Sequence, residues 1–341
     1  MNKQVSILAV CAILSLGLVV WLSQSPSKYK FEAVLLFDDL QEFANQVESL
    51  EIKNAQGVLF SAKKIEGRWL ATFAHEQTAY PISQDKLSEF VEIMMRTKLV
   101  EAKTSKPENY IRLGLQSIDV EDSMASLVTL KTSDNAWQVL VGNEVTLGKG
   151  QYILKLDDPR SWRTDKTIHL PIDKYSWLRQ PILPYQAQDI SSVSRVDSFG
   201  WQIARSVSGD LQLINMPKDK KLEYPSILNS IVSSLTSLNF EEFLPNDEVF
   251  EQTLKIVTQL EVNTAQQNIF QVVVSKLDDK HFVNFFSSDQ TEYWQKWTYQ
   301  VSNFSAQQLI KTIDDFLVQK ETITSNNDTI YQTVDEGDSL N

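Results

Sequence analysis

An uncharged apolar run near the N-terminus constrains this chain more than any other feature. Val5 to Leu22 (VSILAVCAILSLGLVVWL) follows Met1-Asn2-Lys3-Gln4 and gives way to Ser23-Gln24-Ser25-Pro26-Ser27. Wound as a helix it would reach about 27 Å, at the usual rise per residue, close to the thickness of a bilayer's hydrocarbon core. The run predicts a transmembrane helix within residues 1–27, and residues 28–46 read as the linker to a globular body. A cleaved signal would end in small residues, whereas this run ends Val19-Val20-Trp21-Leu22. A lipoprotein signal wants a small residue before its cysteine, and Val10 precedes Cys11. An uncleaved signal anchor is therefore favoured over a discarded leader. Lys3 on one side and Lys28 and Lys30 on the other leave the basic-residue rule undecided. Large domains translocate largely regardless of charge, and a short basic start is typical of export signals. An exported body is the expectation.

Cys11 is the single cysteine, so the body can form no disulfide and no cysteine-based metal site. Lys and Arg number 32 against 44 Asp and Glu, a net charge of −12. An acidic surface repels phosphate backbones, which argues against nucleic acid as a partner. Residues 321–341 lack apolar periodicity and carry Asp328, Asp335, Glu336 and Asp338, the composition of a disordered acidic tail.

Between linker and tail, alternating apolar residues predict strands at Ser49–Lys53, Gly57–Ala62, Gly67–Ala71, Ser126–Leu130, Trp137–Val141 and Tyr152–Leu156. Ser83 opens a helix with Leu87, Phe90, Val91 and Met94 on one face, and a short helix is expected near Ile172–Leu178. The programme then recurs. Strands at Ile190–Val196 and Gly200–Ala204 precede a helix with Ile227, Leu228, Ile231, Val232 and Leu235 on one side. Strands at Ile256–Val262, Ile269–Ser275, His281–Phe286 and Trp297–Val301 follow, and a capping box at Ser305–Gln308 opens a last helix striped with Leu309, Ile310, Ile313, Phe316 and Leu317. Tyr80-Pro81 and Tyr224-Pro225 precede the two main helices alike. The expected fold is α+β: a transmembrane helix, then two repeats of a mixed sheet-plus-helix module, residues 47–180 and 181–320.

Certain residues carry a family resemblance. These are Gly67-Arg68-Trp69, Tyr80-Pro81, Tyr110-Ile111-Arg112-Leu113-Gly114-Leu115, Val141-Gly142, Gly148-Lys149-Gly150-Gln151-Tyr152-Ile153 and Trp177-Leu178-Arg179. With the N-terminal helix, they make the chain similar to the DUF4340 proteins, bacterial envelope proteins of unknown function. Some of those resemble the auxiliary component of gliding-motility-type ABC transport systems. Tyr152-Ile153-Leu154 departs from the pattern, in which an arginine would follow soon after the tyrosine. The resemblance implies an inner-membrane protein with its body in the periplasm and ABC transporter subunits as candidate partners. It transfers no catalytic residue and no cofactor.

Chemistry is sparse. His75, His169 and His281 lie far apart, outside any metal-ligand spacing. Gly142 and Gly148-Lys149-Gly150 lack the spacing and the hydroxyl residue of a phosphate loop and read as a hairpin turn. Adjacent acids occur at Asp38-Asp39, Asp157-Asp158, Glu241-Glu242, Asp278-Asp279 and Asp314-Asp315. Neighbours on a strand point to opposite faces, whereas glycosidic chemistry needs facing carboxylates. No catalytic, cofactor or metal residue is assigned. Trp294, Trp297 and Tyr299 form the one candidate ligand platform, since sugars stack on exposed indoles, although Trp297, Tyr299 and Val301 alternate as a half-buried strand does. The expected function is a membrane-anchored, non-catalytic accessory or scaffold protein. A periplasmic glycan- or small-ligand-binding protein is the alternative, and an envelope hydrolase is a third class.

Overall fold

The structure, a computed structural model, describes residues 32–72, 79–198, 200–288 and 291–318. The chain divides into two compact units, one ending at Arg179 and the other beginning at Gln180.

In the first unit, residues with period-two burial form one ten-stranded sheet. Its strands are β1 (Val34–Leu35), β2 (Ser49–Asn54), β3 (Gly57–Ile65), β4 (Arg68–Thr72), β5 (Ala79–Pro81), β6 (Lys98–Ala102), β7 (Ser126–Lys131), β8 (Ala136–Glu144), β9 (Gln151–Lys155) and β10 (Ser161–Thr164). They lie in the order β1-β6-β10-β9-β8-β7-β2-β3-β4-β5, and every pairing is antiparallel. The helix Gln84–Arg96 opens on Ser83, whose hydroxyl accepts the Lys86 N–H, and buries Leu87, Phe90 and Met94. Trp177 joins helix to sheet: its ring centroid lies 4.8 Å from that of Phe90 and 5.2 Å from that of Phe60 on β3. Its carbonyl accepts the Ser83 N–H, and the Arg179 N–H reaches the Pro81 carbonyl.

The second unit holds eight strands: β11 (Ile190–Arg195), β12 (Trp201–Arg205), β13 (Leu211–Leu213), β14 (Glu242–Pro245), β15 (Lys255–Thr264), β16 (Ile269–Leu277), β17 (Lys280–Ser287) and β18 (Trp297–Val301). Their order is β13-β12-β11-β15-β16-β17-β18-β14, again wholly antiparallel. Read from its β14 edge, this order matches β6-β10-β9-β8-β7-β2-β3-β4 of the first unit strand for strand. The helix Ile227–Thr236 falls between β13 and β14, as Gln84–Arg96 precedes β6. The two units share one topology, with β1 and β5 as additions to the first.

The α+β expectation is corrected. Two antiparallel sheets carry the fold, and helices are few and short, because most apolar residues alternate and so line sheet faces rather than helix stripes. The longest described helix has 13 residues, and no described helix is long and apolar enough to cross a membrane. The expected membrane helix at Val5–Leu22 and the acidic tail at 321–341 lie outside the described residues. Residues Ile172–Leu178 form turns rather than a helix. The last helix runs Asn303–Leu309, capped by Ser302 instead of opening at Ser305, and a separate one-turn 3-10 segment covers Ile313–Phe316. Between them, Arg195 donates to the carbonyls of Ile310 and Lys311, and Trp201 Nε1 donates to the Lys311 carbonyl at 2.8 Å. Those carbonyls serve side chains of β11 and β12, so the apolar stripe continues through space without a continuous helix.

Candidate functional site: an open groove on the second sheet

Each sheet has one face on its main core and one facing away, and the two units treat the outward face differently. In the first, Leu127, Leu140 and Leu154 stand side by side across β7, β8 and β9. The connection from β6 to β7, residues 103–125, folds over them. Leu115 and Ala125 complete a small core with Leu140 and Leu154, flanked by Tyr110, Leu113, Ile118 and Tyr152. Gly114, at φ +68°, ends the covering 3-10 segment, and Gly142 lets it approach β8.

In the second unit the equivalent connection, residues 246–254, is much shorter and carries one helical turn, Glu248–Glu251. The outward face of β15–β17 is left as a groove of about 530 Å³. Two cross-strand rows form its floor, Gln259–Val273–Asn284 and Gln271–Phe286, with Ser275 and Ile256 beside them. Main-core residues Leu260, Val272 and Phe285 alternate with these along the same strands, which is why the groove side chains point outward.

Asn284 is 3 % exposed and anchors a polar network beneath the groove. Its two Nδ2 hydrogens serve Thr298 Oγ1 at 2.7 Å and Glu251 Oε1 at 3.2 Å, with Asn246 Oδ1 at 3.4 Å as a third, shared acceptor. The Glu251 carboxylate fixes the amide's orientation because, when ionised, it can only accept. Thr298 passes its proton on to Asn246 Oδ1, and Asn246 Nδ2 donates to the Gln295 carbonyl. The amide nitrogen is thus saturated, and the carbonyl Oδ1 is the polar atom Asn284 presents to the groove.

Trp294, Trp297 and Tyr299 do not form the expected platform. They are 1 %, 2 % and 0 % exposed, and aromatic neighbours take their ring faces and edges. Trp294 packs on Phe270 and Phe285 at 5.2 and 5.6 Å. Trp297 lies 4.4 Å from Phe243, and Tyr299 lies among Phe240, Phe243 and Phe285 at 5.8 to 5.9 Å. The alternation of Trp297, Tyr299 and Val301 puts those rings on the core face, where no sugar can stack, and Trp294 joins them there from the 3-10 turn Tyr293–Gln295. A polar cleft of about 270 Å³ between Tyr185, Phe270 and Glu292 touches Trp294 only at its margin.

The histidines and acids are dispersed. His169 is exposed, His281 is buried with Nδ1 2.7 Å from Asn303 Oδ1, and His75 lies outside the described residues. Asp38, Asp39 and Asp157 come together in a cleft of about 300 Å³ with Trp137 and Lys155. Asp39 accepts from Trp137 Nε1 at 2.7 Å, and Lys155 lies 3.8 Å from Asp157. Asp158 turns away to accept from the Arg160 N–H and Trp162 Nε1. Asp315 accepts from Thr312, Glu241 from Gln300, and Asp278, at φ +51°, turns the β16–β17 hairpin. Among the described residues no group of three or more His, Cys, Asp or Glu side chains is placed to hold a metal. Gly148 and Gly150, at φ +116° and +109°, make the β8–β9 hairpin turn, as their spacing suggested.

The groove residues escape sequence reasoning because Gln259 and Gln271, alternating with apolar neighbours, look like any solvated strand face. Asn284 was the available signal, a lone amide inside Phe282-Val283-Asn284-Phe285-Phe286.

Fold and groove describe a duplicated antiparallel-sheet protein. The family model described as Domain of unknown function (DUF4340) matches residues 73–256. The chain belongs to that family. No curated protein and no solved structure matches it.

Proposed function

We propose that the protein is a membrane-anchored, non-catalytic accessory or scaffold protein of the bacterial envelope, its body in the periplasm, working by contact with a membrane assembly such as an ABC transport system. The observation that carries this reading is the duplication of one sheet module in a single chain. Tandem copies multiply contact surface, and linked contacts reinforce one another through effective concentration. The sites of the acid pairs support it, since Asp39, Asp158, Glu241 and Asp315 each accept a local hydrogen bond. The uncharged span Val5–Leu22, with no small-residue cleavage site after it, supports the anchor.

Two measurements test the reading. Alkaline phosphatase fused after Leu317 should be active, whereas a fluorescent protein that matures only in the cytoplasm should stay dark at that position. Purification of the full chain from detergent-solubilised membranes should bring down integral-membrane transport subunits. Recovery of the chain alone, repeatedly and in more than one detergent, would remove the scaffold reading; the opposite pair of fusion results would remove the periplasmic one.

A further inference from the structure

We propose that the outward groove of the second unit is a binding site for a small neutral saccharide, held by Gln259, Gln271 and the Asn284 carbonyl and stacked on Phe286. The inference is independent of the scaffold reading and begins from the duplication. The same sheet face is sealed in the first unit by residues 103–125 over an apolar floor. In the second unit that cover is replaced by the short 246–254 connection, and the lining mixes amide and hydroxyl side chains with Leu254, Ile256, Val273 and Phe286. A merely solvated face would have no reason to bury an asparagine at 3 % exposure and saturate its nitrogen from three sides. That arrangement fixes the Oδ1 acceptor in place, as a binding site requires.

The lining chooses among ligand classes. About 530 Å³ lies within the roughly 300–1,000 Å³ span of small-molecule sites. The acid lining it, Glu251, accepts from Asn284, so an anion would meet a like charge and a cation would have to draw the carboxylate away from the amide it holds. An acyl chain would leave Gln259, Gln271, Ser275 and the Asn284 carbonyl unpaired, a cost with no return. An extended peptide binds sheets by adding to an edge, but β15, β16 and β17 are interior strands whose backbone groups already pair with each other. A pyranose offers what the groove can use: several hydroxyls for amide donors and acceptors, and an apolar C–H face for the half-buried Phe286 ring.

The test uses the full chain in micelles of a detergent without a sugar headgroup. Saturation-transfer NMR is recorded with maltose, cellobiose, N,N′-diacetylchitobiose and trialanine as probes at millimolar concentration. Transfer to at least one disaccharide is expected. It should weaken about tenfold or more in Gln259→Ala and in Gln271→Ala, the loss of one or two desolvated hydrogen bonds, and also in Phe286→Leu. It should persist in Gln138→Ala, on a strand of the first unit. All four positions are partly or fully exposed, so each variant should keep the parent's thermal melt. The proposal is overturned if no disaccharide receives saturation, if the groove variants bind as the parent does, or if trialanine is taken in their place.

Discussion

Gly114 and Gly142 meet where the covering loop of the first unit comes closest to its sheet. A Cβ on Gly142 would lie 2.4 Å from the Leu113 carbonyl oxygen and 2.8 Å from that of Gly114. A Cβ on Gly114 would lie 2.4 Å from Asn143 Oδ1. These contacts give the Tyr110–Leu115 and Val141-Gly142 segments a physical role, since each supplies one side of the same approach. Nearby, Gln151 Nε2 donates to the Gly142 carbonyl at 2.8 Å, while its Oε1 accepts from the Ile168 N–H at 2.9 Å.

Gly142→Ala should therefore lift the loop off Leu140 and Leu154. Its obstacle is backbone and cannot rotate away, so the loss should be about 2–3 kcal/mol, the cost of overpacking a tight core. Gly114→Ala adds left-handed strain of about 1–2 kcal/mol, partly offset because the Asn143 side chain can move. Hydrogen exchange of amides 110–125 should accelerate in both variants, with amides of the second unit unchanged. Equal acceleration in both units would show that the effect is not local.

Arg195 is a buried cation of the second unit. Its side chain is 5 % exposed, its Nε bonds both Asp197 oxygens at 2.7 and 2.8 Å, and Nη1 holds the turn after the helix Asn303–Leu309. Asp197 also accepts from Thr258 Oγ1. Arg195→Ala leaves a partly buried carboxylate facing an empty site, and breaking such pairs costs about 3–5 kcal/mol. Chemical denaturation should show the unfolding free energy of the second unit lowered by that amount. Arg195→Lys should recover only part of it, since an ammonium cannot span both carboxylate oxygens and the carbonyls together. A lysine variant as stable as the parent would refute the geometric argument.

Among the described residues, Glu101 contributes to the pH response. The Lys103 ammonium, hydrogen-bonded to Glu101 at 2.7 Å, holds that carboxyl below the ordinary glutamate range against the opposing effect of burial, and Arg163 adds to the pull. Because the folded pKa is the lower one, the stabilisation is complete above the unfolded value and fades as pH falls through the folded value. Glu101 is 48 % exposed, so solvent screens the pair and the effect on the melt should be slight. A carboxyl-carbon NMR titration should show a depressed midpoint that rises in Lys103→Ala and also rises with added salt.

Twelve of the eighteen described strands were legible because half-buried strands write their alternation into the sequence, whereas β1, β5, β6, β10, β13 and β14, two to five residues each, are too short to show one. The helix at Gln84–Arg96 was legible because Ser83 and the Leu87, Phe90, Met94 spacing agree. The balance of the fold was less so. A stripe such as Leu309, Ile313 and Phe316 has helical spacing whether or not the backbone between stays helical, and Arg195, distant in sequence, decides that it does not. Strand order was invisible, since which strands pair depends on contacts no local pattern encodes. The groove was hidden for the same reason: its openness follows from the short 246–254 connection, set against the covering loop of the first unit.

The last prediction separates core aromatics from binding aromatics. Trp294 is enclosed by Phe270 and Phe285, and its Nε1 has no hydrogen-bond partner among the described residues. The indole therefore contributes by volume and ring contact rather than by its N–H. Trp294→Ala should cost about 3–5 kcal/mol through the cavity left behind. Trp294→Phe keeps an aromatic ring and sacrifices no hydrogen bond, so its loss should be under half as large. Both should leave saccharide binding at the Gln259–Asn284 groove unchanged wherever the second unit remains folded, because Trp294 lies on the opposite, core side of the sheet. Denaturation midpoints for the two variants, read beside saturation transfer at a temperature where each is folded, test this. Lost binding with an unaltered midpoint would return Trp294 to the role of a ligand platform.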